Sequence, residues 1–126
     1  MSLFSKYILS LSLLMGSFCA TIQAGTIEIE DLTFSKTISS GVVVVDFYAE
    51  WCGPCKKFAP IFDKLSNEID DVTFAKLNVD NGYEAMVAYK IKSIPTIILF
   101  KDGVEVARNV GVMDSKAFRK FVESNM

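Results

Sequence analysis

Two cysteines, Cys52 and Cys55, are separated only by Gly53 and Pro54. They follow an apolar run that predicts a strand, and they open a segment with helical periodicity. Both thiols would then lie in the first helical turn, where free amides and the helix dipole stabilise a thiolate. Residues three apart are neighbours on a helix, so a small disulfide can form and break there with little backbone movement. We expect Cys52 to attack disulfides, and Cys55, further into the helix and more buried, to resolve the product.

Spacing alone leaves two other roles open for this cysteine pair. A zinc site needs four ligands, whereas the sequence contains no histidine and only one further cysteine, Cys19. A structural disulfide over so short a loop would constrain the unfolded chain little. The pattern therefore favours redox chemistry, with no metal and no cofactor. The lack of histidine also excludes nucleophiles of the Ser-His or Cys-His type.

Length and composition indicate one small domain, and the order of its predicted elements indicates the α/β class. Of the 126 residues, 51% are hydrophobic, which is enough for a packed core, and the net charge of −2 provides no basic face for nucleic acid. Strand and helix patterns alternate in the order βα, βα, βα, ββα, which predicts a mixed sheet covered by helices on both faces. We predict strands over 26–30, 41–49 and 71–80, a hairpin over 95–109, and helices over 31–39, 52–69, 83–90 and from 114 onward.

Helix starts and buried faces can also be predicted. Asp31 and Asp114 are candidate helix caps, and Asp102-Gly103 is a candidate two-residue hairpin turn. Met113 and Phe118 fit the spacing of a hydrophobic staple. The residues expected to face the core are Leu32, Phe34 and Ile38 in the first helix, Phe58, Ile61, Phe62, Leu65 and Ile69 in the second, and Tyr83, Met86 and Val87 in the third.

Four sequence blocks resemble the thioredoxin family. They are VDFYAEWCGPCKKFAP at 45–60, KLNVD at 76–80, SIPTIILFKDG at 93–103 and the dipeptide Val110-Gly111. Their order and spacing cover nearly all of residues 26–126. The resemblance implies the thioredoxin fold, a central five-stranded mixed sheet flanked by four helices. It also implies a protein-disulfide reductase that works through a mixed disulfide.

The resemblance assigns catalytic roles to four positions. Cys52 matches the nucleophile and Cys55 the resolving cysteine. Asp46 matches the buried acid beneath the pair, and Lys76 matches a lysine near that acid. A carboxylate on a covered strand should have a raised pKa because of desolvation, and it can then take the proton from Cys55. An ordinary aspartate at a strand end is the alternative for Asp46.

The resemblance also implies a substrate-binding surface. Pro95 matches a cis-proline that faces the active site, and the backbone of Ile94 would pair with an extended substrate chain. The residues that match the apolar rim around the disulfide are Trp51, Gly53, Pro54, Ile94, Val110 and Gly111. One departure is Tyr48, which stands where the family often has tryptophan and leaves Trp51 as the only tryptophan.

The resemblance also suggests a direction of electron flow and the kinds of partner. The Gly-Pro dipeptide favours a reductase of disulfide-containing proteins, recharged by an electron-donating reductase such as a membrane thiol–disulfide carrier. Alternatives are an exported oxidase or isomerase, or a redox-independent binding subunit. We expect a monomer that binds no nucleic acid.

The N-terminus is typical of a secretory signal peptide. Lys6 is its only charge, and an apolar stretch leads to small Ala24, after which we predict cleavage. Residues 25–126 would form the thioredoxin domain, exported to the periplasm or secreted if the source is bacterial. An uncleaved membrane anchor and a lipid-modified Cys19 are the alternatives.

Overall fold

The structure, a computed structural model, describes residues 25–126. The predicted leader and Cys19 lie outside the described residues. The elements within this range are β1 (Thr26–Ile29), α1 (Asp31–Ile38), β2 (Val42–Tyr48), α2 (Gly53–Ser66), β3 (Val72–Asn78), α3 (Tyr83–Ala88), β4 (Thr96–Lys101), β5 (Val104–Val110) and α4 (Ser115–Glu123). Their order confirms the predicted alternation of strands and helices. No helix within 25–126 has the length and apolar character needed to cross a bilayer.

The strands of residues 25–126 form one sheet in the order β1-β3-β2-β4-β5. The pairs β1–β3 and β3–β2 are parallel, whereas β2–β4 and β4–β5 are antiparallel. β2 is therefore central, and its residue Asp46 lies in register between Lys76 of β3 and Ile97 of β4. This confirms the mixed sheet predicted from the sequence.

Each face of the sheet carries its own hydrophobic core, because successive side chains of β2 alternate between the faces. Val43, Val45 and Phe47 pack in one core with Phe34 and Ile38 of α1. On the other face the sheet packs against α2 and α4. This core includes Val44, Phe74 and Ile97 of the sheet, Phe58 and Phe62 of α2, and Phe118 and Val122 of α4. The four valines that precede Asp46 are thus covered on both sides, as a run apolar on both faces predicts.

The predicted hairpin and the last helix start are confirmed. Asp102 and Gly103 both have positive φ, 48° and 84°, as a two-residue turn of the primed type requires. The Asp114 side chain accepts a hydrogen bond from the N–H of Ala117 at 2.8 Å and so caps α4. Met113 and Phe118 are both buried in the core beneath that helix.

The start of α1 differs from its prediction. Glu30 is the N-cap, and its N–H donates to the hydroxyl of Thr33 at 3.1 Å. Asp31 is instead the first helical residue, and its carboxylate accepts hydrogen bonds from two amides at the start of α3. Leu32 is 92% exposed, so its predicted core contact is wrong. Phe34 and Ile38, four residues apart, define the face that α1 buries.

Two further helix predictions are wrong in detail. Tyr83 and Val87 of α3 are 66% and 56% exposed, and Ala85 takes the buried position instead. A helix of six residues offers too few turns for periodicity to determine which side faces the core. α2 ends at Ser66 with Asn67 as its C-cap, so Ile69 lies beyond the helix and is half-buried against the core.

Candidate active site

The cysteine pair lies where the loop after β2 enters α2. Cys52 is the N-cap in an extended conformation (φ −91°, ψ 112°), and Gly53 and Pro54 are the first two helical residues. Proline suits this position because first-turn amides have no partner within the helix. Cys52 and Cys55 form a disulfide whose Cα atoms are 5.2 Å apart. The backbone N–H of Cys55 donates a hydrogen bond to Sγ of Cys52 at 3.2 Å.

The two cysteines are almost equally buried in this oxidised form. Cys52 is 5% exposed and Cys55 is 4% exposed, so the difference in burial expected between them is very small in this form. Sγ of Cys52 lies 3.8 Å from the carbonyl oxygen of Ile94. A segment 42 residues further along the chain thus covers Cys52. The position of Cys52 at the start of its helix does not by itself reveal this contact with Ile94.

Asp46 is buried on the central strand at 1% exposure. Neither of its carboxylate oxygens has a hydrogen-bond partner among residues 25–126. Burial raises the pKa of Asp46 from 3.8 to about 7; Lys76 opposes this rise, and Glu28 and Asp63 add to it. The pKa increase expected from desolvation is therefore present, and Asp46 can exchange a proton near neutral pH.

A narrow cleft opens to the surface beside Cys55. It has a volume of about 140 Å³, and its lining includes Glu28, Tyr48, Glu50, Cys55, Lys56 and Lys76. Polar space of this size admits water. The cleft therefore gives water access to the surroundings of Cys55.

Two of the predicted rim residues, Trp51 and Ile94, lie next to Cys52. Trp51 is 69% exposed, and its indole N–H donates to Oδ2 of Asp80 at 3.1 Å. The peptide bond between Ile94 and Pro95 is cis. Beside them lies a groove of about 410 Å³ lined by Trp51, Val79, Asp80, Tyr83, Met86, Ile91, Lys92, Ser93 and Ile94.

The segment after β5 lies against Pro95. The N–H of Gly111 donates to the carbonyl oxygen of Pro95 at 2.8 Å, which brings the fourth sequence block against the third. Gly111 has a φ of 100°, a conformation that glycine adopts without strain. Val110 beside it is 60% exposed. Within residues 25–126, no cluster of three or more His, Cys, Asp or Glu side chains is arranged to hold a metal ion.

Comparisons with known proteins agree with this geometry. The family model described as Thioredoxin matches residues 25–124. The chain belongs to the thioredoxin family. Thioredoxin of Chlamydia pneumoniae is 46% identical over 92 residues, 73% of this chain and 90% of the relative. Thioredoxin of Bacillus subtilis is 38% identical over 101 residues, 79% and 97% of the two chains.

Solved thioredoxins show the same fold. A mutant thioredoxin from Halobacterium salinarum superposes with a TM-score of 0.75 at 33% identity, covering 81% of this chain and 91% of that one. Thioredoxin from Malassezia sympodialis gives 0.72 at 33% identity, covering 80% and 91%. This member of the family is a thioredoxin-type thiol–disulfide oxidoreductase, and Cys52 and Cys55 are its redox pair.

Sequence reasoning missed some residues of this thioredoxin-type site. Tyr83, predicted to face the core, lines the groove beside Trp51. Glu28 and Tyr48 line the cleft that leads to Cys55. Tyr48 had a usable signal, because it lies two residues after Asp46 on one strand and must share its face. Glu28 had none, because the pairing of β1 with β3 is decided by the tertiary fold.

Proposed function

We propose that this oxidoreductase reduces disulfides in other proteins, with Cys52 as the nucleophile and Cys55 as the resolving thiol. The observation that carries the assignment is the hydrogen bond from the Cys55 N–H to Sγ of Cys52 at the start of α2. It stabilises negative charge on Cys52 once the disulfide is reduced. Within residues 25–126, no corresponding bond to Sγ of Cys55 is formed.

The reaction proceeds in two exchanges. The Cys52 thiolate attacks one substrate sulfur, which forms a mixed disulfide and releases the other substrate sulfur as a thiolate that takes a proton from water. Cys55 then loses its proton and attacks Sγ of Cys52, which releases the second substrate sulfur. Two electrons pass from the dithiol to the substrate, and the enzyme is left as the Cys52–Cys55 disulfide.

Asp46 is the proposed acceptor of the Cys55 proton. Its pKa of about 7 means that a fraction is ionised at neutral pH and ready to take a proton. Cys55 and Lys76 both line the narrow cleft, which provides a path for that proton to leave. Lys76 limits the rise in the pKa of Asp46, so part of the Asp46 population stays ionised at neutral pH.

The substrate chain is proposed to bind across the rim. The carbonyl oxygen of Ile94 lies 3.8 Å from Sγ of Cys52, so a substrate strand paired with this backbone would bring its sulfur to the nucleophile. Trp51 precedes Cys52 in the chain and Val110 is paired with Thr96, next to Pro95; both side chains are exposed and offer apolar contact. This geometry suits an unfolded or extended segment around a disulfide better than a buried one.

Each turnover leaves the enzyme oxidised, so a second protein must supply electrons. We propose an electron-donating reductase, and for an exported enzyme a membrane thiol–disulfide carrier. The predicted cleavage after Ala24 supports export. The family model begins to match at residue 25, so residues 1–24 lie outside the matched domain. The protein acts as a monomer in this proposal.

The reduction potential of the purified protein tests the direction. Potentials in this fold run from about −270 mV in thioredoxin to about −120 mV in strong oxidants. We expect a value near the lower limit, together with reduction of insulin disulfides when dithiothreitol supplies electrons. A value near the upper limit would favour the oxidase alternative. If the Cys52→Ser, Cys55→Ser double variant kept the biological activity, the protein would be a redox-independent binding subunit.

A further inference from the structure

Lys76 lies in strand register between two acidic residues. Its neighbour on β1 is Glu28, and its neighbour on β2 is Asp46. Residues paired across adjacent strands project from the same face of a sheet, so these three side chains share one face. Lys76 therefore has an acidic neighbour on each adjoining strand.

The ammonium group of Lys76 nevertheless lies on an aromatic ring. Its Nζ is 4.8 Å from the centre of the Tyr48 ring. Neither carboxylate oxygen of Asp46 has a hydrogen-bond partner among residues 25–126. Tyr48 shares a face of β2 with Asp46 and provides the surface on which the cation rests.

Tyr48 is itself held in place by Glu28. Its hydroxyl donates to Oε1 of Glu28 at 2.8 Å. Burial, with this hydrogen bond, raises the pKa of Tyr48, so the hydroxyl remains a donor across the neutral range. The three residues thus form a chain of contacts, Glu28 to Tyr48 to Lys76, that ends beside Asp46.

We propose that Tyr48 is a positioning residue for proton transfer: its ring, anchored by Glu28, holds the Lys76 ammonium and keeps it from pairing directly with Asp46. A direct ion pair would stabilise the carboxylate and make Asp46 a weaker base toward Cys55. With the lysine held on the ring, Asp46 keeps its affinity for a proton. This inference rests on the proposed role of Asp46 in resolving the mixed disulfide.

Other charged groups near Asp46 do not replace this control. Glu28 and Asp63 raise the pKa of Asp46, and only Lys76 lowers it. On β4 the partner of Asp46 is the apolar Ile97. The remaining charged groups that line the cleft, Glu50 and Lys56, contribute no resolved shift to that pKa. The position of the Lys76 ammonium group therefore determines how far the pKa of Asp46 is lowered.

Carbon-13 NMR of the Asp46 carboxyl group tests the proposal directly. In Tyr48→Leu the ring is lost, so Lys76 is free to approach, and the titration midpoint of Asp46 should fall by about one pH unit or more. Tyr48→Phe is the matched control, because it keeps the ring and removes only the hydroxyl, and its midpoint should fall much less. An unchanged midpoint in Tyr48→Leu overturns the proposal.

A double variant separates the lysine from a simple gain of water around Asp46. In the Lys76→Met background, Tyr48→Leu should no longer lower the midpoint, because the cation that moves is absent. The same drop in both backgrounds would overturn the proposal. The resolving rate of Asp46→Asn tests the proposed function separately, since the carboxyl titration reports on Tyr48 whether or not Asp46 transfers the proton.

The unmodified protein provides a test that does not depend on any variant folding. A cation above the Tyr48 ring places the ε-methylene protons of Lys76 in the ring current. Their proton resonances should therefore lie upfield of those of the other lysines, and they should move to ordinary values in Tyr48→Leu. Ordinary values in the unmodified protein would show that Lys76 does not rest on the ring and would overturn the proposal.

Discussion

The backbone N–H of Cys55 donates a hydrogen bond to the sulfur of Cys52 over 3.2 Å. The bond makes the pair asymmetric, although the two residues are buried to almost the same degree. The sulfur of Cys52, at the N-cap of α2, receives the first-turn amide and the positive end of the helix dipole. Chemical asymmetry in this pair thus comes from hydrogen bonding and not from exposure.

Substitution of each cysteine should therefore have a different effect. Cys52→Ser should abolish reduction of insulin disulfides, because the stabilised thiolate is lost. Cys55→Ser should accumulate mixed disulfides with substrates, since attack proceeds and resolution does not. Non-reducing electrophoresis after acid quenching detects these adducts. Adducts with Cys52→Ser but none with Cys55→Ser would mean that the two roles are reversed.

Asp46 should reduce stability in a pH-dependent manner. Its pKa in the folded protein, about 7, exceeds its ordinary value of 3.8, so the folded state binds more protons than the unfolded state between these limits. Stability is therefore lost as pH rises through this window, by about 4 kcal/mol once both states are ionised. In urea unfolding, Asp46→Ala should be about 2–4 kcal/mol more stable than the parent at pH 8.

The pH dependence is the decisive part of that experiment. The gain in Asp46→Ala should shrink toward pH 4, where the parent carboxyl is neutral in the folded state. The matched control is Glu50→Gln, because Glu50 is an exposed acid that lines the cleft beside Cys55. Its free energy of unfolding should stay within about 0.5 kcal/mol of the parent's. A gain that is equal at both pH values, or a loss at both, would contradict burial of the charge as the cause.

Substitution of Asp46 should slow catalysis even though it raises stability. Asp46→Asn removes the proton acceptor for Cys55, so the step that resolves the mixed disulfide should slow, most strongly near neutral pH. A pH series of single-turnover disulfide reduction measures this step. A variant as fast as the parent at every pH would require another acceptor for the Cys55 proton.

Asp31 should stabilise α3 from a distance. Its carboxylate accepts hydrogen bonds from the amides of Glu84 (3.0 Å) and Ala85 (2.9 Å), as a capping residue of α3 would. Asp31→Ala should destabilise the domain by about 1–2 kcal/mol, the usual loss for a removed cap. Amide hydrogen exchange should quicken at 84 and 85. Asp114→Ala, which removes the cap of α4, is the control and should leave those two amides protected.

Gly82 should not tolerate a side chain. A Cβ at this position would overlap the side chain of Leu77, with Cγ only 2.6 Å away. Gly82→Ala should therefore reduce stability by about 1–3 kcal/mol through overpacking. At Gly53 a Cβ meets no atom of residues 25–126 within 4 Å, so Gly53→Ala should leave stability unchanged or slightly higher. Equal stability of the two variants in urea unfolding would contradict this contrast.

The leader should be removed after Ala24 when the protein is made in its native host. Mass spectrometry of the purified protein gives the start of the mature chain, and we expect it at Gly25. A chain that begins at Met1 or Ser2 in the cytosolic fraction would contradict export. A diacylated Cys19 would instead support the lipoprotein alternative.

Features that depend on local chemistry were predictable from the sequence. The Asp102-Gly103 turn, the Asp114 cap and the burial of Asp46 on a valine-rich strand follow from residues that are adjacent in the chain. Backbone dihedrals, capping and alternation along a strand act over a few residues, so a short stretch of sequence contains enough information. The order of the strands and helices was predictable for the same reason.

Only the tertiary structure decided what distant segments do to one another. Ile94 covers Cys52, Asp31 caps α3, and Glu28 reaches Tyr48 because folding brings together parts of the chain that are far apart in sequence. Local periodicity placed Leu32 and Tyr83 in the core, whereas both are exposed. A short helix has several apolar sides, and the packing of its neighbours selects one of them, because burial energy is summed over the whole core and not over one element.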